Sequence, residues 1–194
     1  MTAPTTATDR LHFTGDDEAD RLIATDPLAL LIGFALDQQV SVQKAFTGPA
    51  ELRRRIGHLD AARIAAMPPA ELDRVFRERP ALHRFPGSMA ERVQSLAAAI
   101  VERYDGDASR IWREARDGAD LEARLLALPS IGEMKARSIM AILAKRFGVQ
   151  LPGLAERVPS HPTLGDVDSP EALARYQEGK RAYKAAHRAE GTRA

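Results

Sequence analysis

The chemistry-bearing residues of this chain gather in one stretch, Leu125 to Gly148. An apolar helix tail (Leu125, Leu126, Leu128) runs into Pro129-Ser130-Ile131-Gly132 and then directly into a second helix. Pro129 cannot continue the first helix, and Gly132 is free to take a positive φ, so a tight turn is expected. Ala136, Ile139, Met140, Leu143 and Phe147 recur at helical spacing on the second helix, and Gly148 ends it. Ala136 is small where two closely crossing helices need a small residue. The start of such a helix carries backbone N–H groups with no partner beside the positive end of the helix dipole, which is the chemistry of phosphate binding. Lys135, Arg137, Lys145 and Arg146 add positive charge along the same helix. Two readings are open on the pattern alone: a phosphate-holding hairpin, or a plain antiparallel helix pair with a solvated basic face.

The segment Leu128-Pro129-Ser130-Ile131-Gly132-Glu133-Met134-Lys135-Ala136 resembles the hairpin of the HhH-GPD superfamily, the endonuclease III, MutY and AlkA type of DNA glycosylase. That hairpin typically reads L-P-G-[VI]-G-x-K-T-A, and Leu128, Pro129, Ile131, Gly132 and Ala136 match it. Ser130 replaces the first glycine. The resemblance implies an all-α fold with a helical-barrel lobe at about 27–132. A second lobe comes from about 1–26 with 133–194, and the helix-hairpin-helix at 121–148 stands at the cleft of a single 194-residue unit. It also implies double-stranded DNA, damaged or distorted, as the partner of a monomer, with Ser130, Ile131, Gly132, Met134, Lys135, Ala136 and Arg137 at the DNA.

A second point of resemblance is Asp37-Gln38-Gln39-Val40-Ser41, after the apolar run Leu28–Leu36. Relatives of the AlkA and yeast methyladenine glycosylase type often read Q-Q-[VI]-S here. By that resemblance Gln39, with Gln38 beside it, reaches into the DNA near the lesion; the alternative is a helix cap whose amides bond local backbone. In the loop Phe85-Pro86-Gly87, Phe85 stands where relatives often carry an apolar wedge that fills the gap left by a flipped base. The alternative is a staple packed under the loop. Ser88 and Glu91 read as a capping box for the helix that follows, and His83 as an exposed polar residue.

The chemistry of a glycosylase needs a carboxylate beside C1′ to stabilise an oxocarbenium-like transition state. Relatives supply an Asp from the segment after the hairpin, which here, in Val149–Val158, contains no Asp. Glu156 and Asp37 are the candidate acids; the alternative for Glu156, favoured on its residue context alone, is a solvated residue paired with Arg157 or another surface base. Bifunctional relatives add a nucleophilic lysine at the position of Met134. Lys135 is one residue out of phase, about 100° around a helix of about 3.6 residues per turn, and is expected to face the phosphates. The implied activity is a monofunctional DNA glycosylase of base excision repair, without lyase chemistry. The alternatives are a non-catalytic DNA-binding protein that has lost the acid, and a helical protein-interaction domain.

The elements that must position these residues are all helical; no strand-period segment occurs. Asp26-Pro27 starts a core helix, apolar on every side. Pro49 is expected to open a helix through Ile56, Asp60 to cap one through Met67, and Pro68-Pro69 to open one through Arg77. Arg53-Arg54-Arg55 reads as a solvated helix face. Ser109 is expected to cap a short helix holding Trp112. Ser169-Pro170 starts a last helix with Leu173, Tyr176 and Tyr183 and the basic residues Arg175, Lys180, Arg181 and Lys184. Met1–Asp9 is small and polar and reads as disordered.

Composition bounds the function further. With 194 residues and 44% apolar content the chain can bury a sizeable core, and no apolar run approaches a membrane span. It has 0 cysteines, so the four-cysteine iron–sulfur cluster of many superfamily members has no ligands here. No cofactor is expected beyond a possible monovalent cation at the hairpin. Net charge is +1, so DNA binding would depend on a local patch. The expected location is the cytoplasm of a bacterium, at the nucleoid.

Overall fold

The computed structural model describes the backbone of residues 8–191 and the side chains of residues 8–182. It is all-α, with no strand among the described residues. No helix there is long and apolar enough to cross a membrane. Asp26 starts the central helix α2 (Pro27–Leu36), its Oδ1 accepting from the amides of Leu28 at 2.9 Å and Ala29 at 3.1 Å. Every residue from Leu28 to Leu36 is buried, as a helix without a polar face requires. Around it pack α1 (Asp17–Thr25), α3 (Val42–Ile56) and α6 (Pro86–Tyr104).

Helices α2 and α3 approach closely at two glycines. A Cβ on Gly33 would lie 2.4 Å from the Phe46 ring, and one on Gly48 would lie 2.4 Å from Leu36 Cδ1. Phe46 in turn meets Phe13 and Phe34 edge-to-face, at centroid distances of 5.1 and 5.0 Å. The expectation that Pro49 opens a helix is corrected: α3 starts at Val42, capped by Ser41 Oγ, which accepts from Lys44 N at 3.1 Å, and Pro49 lies inside it. An interior proline costs about 3 kcal/mol. Burial of Val42, Ala45, Phe46, Gly48, Pro49 and Leu52 along one side carries the helix through it.

Arg55 is not a solvated residue either. Its side chain is 3% exposed, paired with Glu51 at 2.6 Å and donating to the carbonyls of Val75, Glu78 and Pro80 at 2.6, 3.0 and 2.6 Å. Arg54 also pairs with Glu51, and Arg53 with Glu18. Helices α4 (Ala61–Ala66) and α5 (Pro69–Arg77) cover α6. Helix α6 begins at Pro86 with Phe85 as its N-cap, so Ser88 lies within the helix and forms no capping box. In α7 (Arg110–Arg113) Ser109 makes no side-chain cap; its hydroxyl donates instead to Asp107 at 2.6 Å. Trp112 is buried there.

The hairpin helices are α8 (Gly118–Leu126) and α9 (Glu133–Lys145). Gly118 N donates to Pro152 O at 2.8 Å, which fastens the returning chain to the start of α8. A 3-10 turn at Leu164–Asp166 packs on α9, and α10 (Pro170–Gly191) rests on that turn through Ala172 and Leu173. The side chains of Tyr183 and Lys184 lie outside the described residues, as do residues 1–7. Thr8 and Asp9 are tied down, Thr8 N to Arg146 O at 3.2 Å and Asp9 to Arg21 at 2.9 Å. The buried side chains of all the larger helices join in one apolar core.

Candidate nucleic-acid interface

Between α8 and α9 the chain turns on the backbone of Leu128–Gly132. Leu128 N donates to Leu125 O at 3.1 Å and Ile131 N to Leu128 O at 3.3 Å, while the Leu128 and Ile131 side chains are buried. The residue that takes the left-handed conformation is Ser130, at φ +67°; Gly132, expected to do so, has φ −91° and ψ 178°. Gly132 is exposed, caps α9 without a side chain, and has nothing within 4 Å of where a Cβ would stand. Neither its dihedrals nor its neighbours require glycine. What its lack of a side chain provides is unobstructed approach to the first amides of α9.

The cations of α9 separate along the helix. Met134 points outward, 82% exposed. Lys135 turns inward, against expectation: it is half-buried, and Nζ donates to Ser130 O at 3.3 Å. Burial pushes its amine below the usual lysine range; the Asp37 charge opposes that shift and Arg92 adds to it. The carbonyl of Ser130, which could face a hairpin cation, is thus engaged by the lysine's own ammonium. Ala136 is fully buried at the helix contact, and Arg137 is exposed, 3.9 Å from Glu122. Lys145 is paired with Asp166 at 2.5 Å and Arg146 is half-buried, so the far end of α9 does not extend the basic face.

Helix α2 ends beside this turn. Asp37, half-buried, is its C-cap; Gln38 N donates to Leu36 O at 2.7 Å, and Gln39 is exposed with φ +54°. Among the described residues the Gln38 and Gln39 side-chain amides cap neither helix; Ser41 caps α3.

The Phe85 loop is drawn to the same place. His83 is 1% exposed, which corrects its reading as a surface residue. Its Nε2 donates to Leu36 O at 3.1 Å, and its Nδ1 accepts from Phe85 N at 3.1 Å, a pattern only the neutral ring can satisfy. Burial lowers its proton affinity; hydrogen bonds to Leu36 and Gln38 oppose the shift, and Lys44 and Arg84 add to it. Lys44 Nζ donates to Ala81 O at 2.9 Å, fastening the loop to the start of α3. Phe85 itself is 40% exposed under the Arg84 guanidinium, whose carbon lies 4.8 Å from the ring centroid.

At the end of α2 the glutamine turn is thus joined to the Phe85 loop through His83, and the Asp37 charge there acts on Lys135 of the hairpin. The exposed or half-buried cations around them, Lys44, Arg84, Arg92 and Lys135, have no carboxylate within 4.0 Å among the described residues. Elsewhere arginines are commonly spent on neighbouring acids, as with Arg10, Arg21, Arg77, Arg110 and Arg124.

The candidate acids are placed differently. Asp37 lies at the end of α2, its charge acting on Lys135 and on Tyr176 of α10. Glu156 is exposed on a 3-10 turn, Ala155–Arg157, packed beside α8, and the neighbouring Arg157 pairs with Glu122 instead. No group of His, Cys, Asp and Glu among the described residues has the arrangement to hold a metal ion. Sequence reasoning missed Lys44, Arg92, His83 and Tyr176, which reach the site only through tertiary contacts. In comparisons with protein-family models, curated proteins and solved structures, the chain matches none.

Proposed function

We propose that the chain binds double-stranded DNA that is damaged or distorted, as a base excision repair protein resembling the HhH-GPD glycosylases. The observation that carries the reading is that the Phe85 loop is fastened to the end of α2, where the glutamine turn begins and the Asp37 charge acts on Lys135 of the hairpin. Gly132 leaves open space at the start of α9, Gln39 and Phe85 are exposed, and Lys44, Arg84, Arg92 and Lys135 have no acidic partner among the described residues. The α9 amides and Lys44, Arg84 and Arg92 take the phosphates, and Phe85 and Gln39 fill space beside an extruded base. On this reading Asp37, rather than Glu156, is the carboxylate that balances positive charge developing at C1′ during hydrolysis of the N-glycosidic bond. Met134 stands at the lysine position of bifunctional relatives, and Lys135 is engaged as a donor to Ser130 O, so no lyase step is assigned. A second reading, non-catalytic recognition of damaged DNA, is supported by the segment after the hairpin, Val149–Val158, which contains no Asp.

Equilibrium binding to matched and abasic duplexes over a range of salt tests the proposal. Affinity should fall steeply with salt. Gln39→Ala and Phe85→Ala should weaken abasic-duplex binding more than matched-duplex binding. Equal losses on both duplexes would remove those residues from the interface, and salt-independent binding would remove the phosphate contacts.

A further inference from the structure

Beyond its buried start, helix α10 makes a polar contact with α3. Ala172 and Leu173 bury its start, and from Ala174 to Ala182 every described side chain is exposed except Tyr176 and Gln177. The Gln177 carboxamide faces that of Gln43, at the start of α3, head to tail. Gln177 Nε2 donates to Gln43 Oε1 at 2.8 Å, and Gln43 Nε2 donates to Gln177 Oε1 at 3.4 Å. Exchanging oxygen and nitrogen in both groups leaves the pairing intact, so it does not hang on how either amide is oriented.

A carboxamide presents a donor beside an acceptor, and it pairs reciprocally with any edge that does the same, a lactam N–H/C=O or the amidine edge of adenine or cytosine. Gln177 supplies the N–H/C=O form of that edge from within the chain. The same edge is carried by the lactam nucleobases uracil, thymine, hypoxanthine and guanine, and extruded bases are read by hydrogen bonds to it. Gln43 is well placed for such a reading. It follows the turn that holds Asp37, Gln38 and Gln39, and the Asp37 charge reaches Tyr176, the neighbour of Gln177. We infer that Gln43 is a base-reading residue, and that Gln177 occupies the place of a lactam-edged nucleobase until an extruded nucleotide displaces it. The inference rests on the DNA-binding reading above and adds to it a base class and a covered resting state.

The test uses the full chain, its Q177A, Q43A and Q43A/Q177A variants, and three duplexes: fully paired, with one unpaired dU, and with one unpaired N3-methyl-dU. Alanine keeps α10 helical. Q177A should bind the dU bulge about three- to tenfold more tightly than wild type, the worth of a freed neutral hydrogen-bonding edge. It should gain nothing on the N3-methyl-dU bulge or the paired duplex, and both variants lacking Gln43 should show no gain. An unchanged dU preference in Q177A, or an equal gain on both bulges, would overturn the inference while leaving duplex binding in place. Should no variant bind any duplex, the DNA reading falls, and free base decides the rest. Uracil, but not 3-methyluracil, must then shift the Gln43 side-chain amide resonance of Q177A, and no shift overturns the inference.

Discussion

The imidazole of His83 joins the end of α2 to the start of α6, its Nε2 3.1 Å from Leu36 O and its Nδ1 3.1 Å from Phe85 N. Through this one ring the most buried helix of the protein fixes the loop that presents Phe85. Because burial lowers the ring's proton affinity below the ordinary value of 6.5, the unfolded chain takes up a proton as pH falls below that value while the folded chain does not. The contribution of His83 to stability is therefore complete above its unfolded-state value and drains away as pH falls toward its folded-state value. His83→Gln keeps a donor toward Leu36 O and does not titrate. Thermal melts should show it less stable by about 1 kcal/mol at neutral pH, with the gap to wild type narrowing as pH falls. A gap that stayed constant with pH would mean that folding does not change the ring's proton affinity.

At Gly132 fold and binding can be separated. With φ −91° and open space around it, alanine fits without strain and should cost only about 0.5–1 kcal/mol as a poorer N-cap. Its methyl group nonetheless stands where a phosphate would approach, and Gly132→Asp adds a negative charge there. Duplex affinity should fall in the order glycine, alanine, aspartate, an order that stability does not follow, because aspartate is the best N-cap of the three. Wild-type affinity in a folded Gly132→Asp protein would remove the start of α9 from the interface.

Ser130 carries a conformational cost, since a non-glycine residue at φ +67° is disfavoured by about 1–2 kcal/mol. Ser130→Gly should relieve most of this, less the added freedom of the unfolded chain, and stabilise the protein by about 0.5–1 kcal/mol in denaturant titrations. A branched side chain is worse there, so Ser130→Val should destabilise. Stabilisation by valine would contradict the turn geometry.

If the protein excises bases, the acid at the end of α2 should be indispensable. Across duplexes bearing alkylated, deaminated and oxidised bases, Asp37→Asn should abolish release, while Glu156→Gln, on an exposed turn beside α8, should leave it near wild type. The opposite pattern would return the role to the segment after the hairpin. No release from any substrate, with binding intact, would establish the non-catalytic reading.

Local rules foretell elements that local forces make. The Asp26-Pro27 start, the apolar run behind it, the two helices around Pro129 and the proline-led α5 are all legible in sequence, because caps, prolines and helical periodicity act within a few residues. Pro49 misleads for the same reason: its local preference is overridden by burial along α3 that no short window contains. The site is less legible still. Helical phase places Lys135 beside the outward Met134, but the direction of a long side chain depends on its acceptor, here Ser130 O, which residue type does not reveal. His83, Arg55 and Lys44 bond to carbonyls of remote segments, and carbonyl acceptors leave no trace in residue type.

Gly33 and Gly48 lie outside the candidate site, yet they set its dimensions. The Phe46 ring seated over Gly33 and the Leu36 methyl over Gly48 fix how far apart α2 and α3 run. The Asp37–Ser41 turn bridges that gap at one end. A methyl group added at either glycine would act as a wedge between two rods, and the turn would absorb the widening. The separation between Asp37, which closes α2, and Gln43, at the start of α3, is thus held by two missing side chains, and a mutation at either glycine alters it without touching a residue of the candidate site.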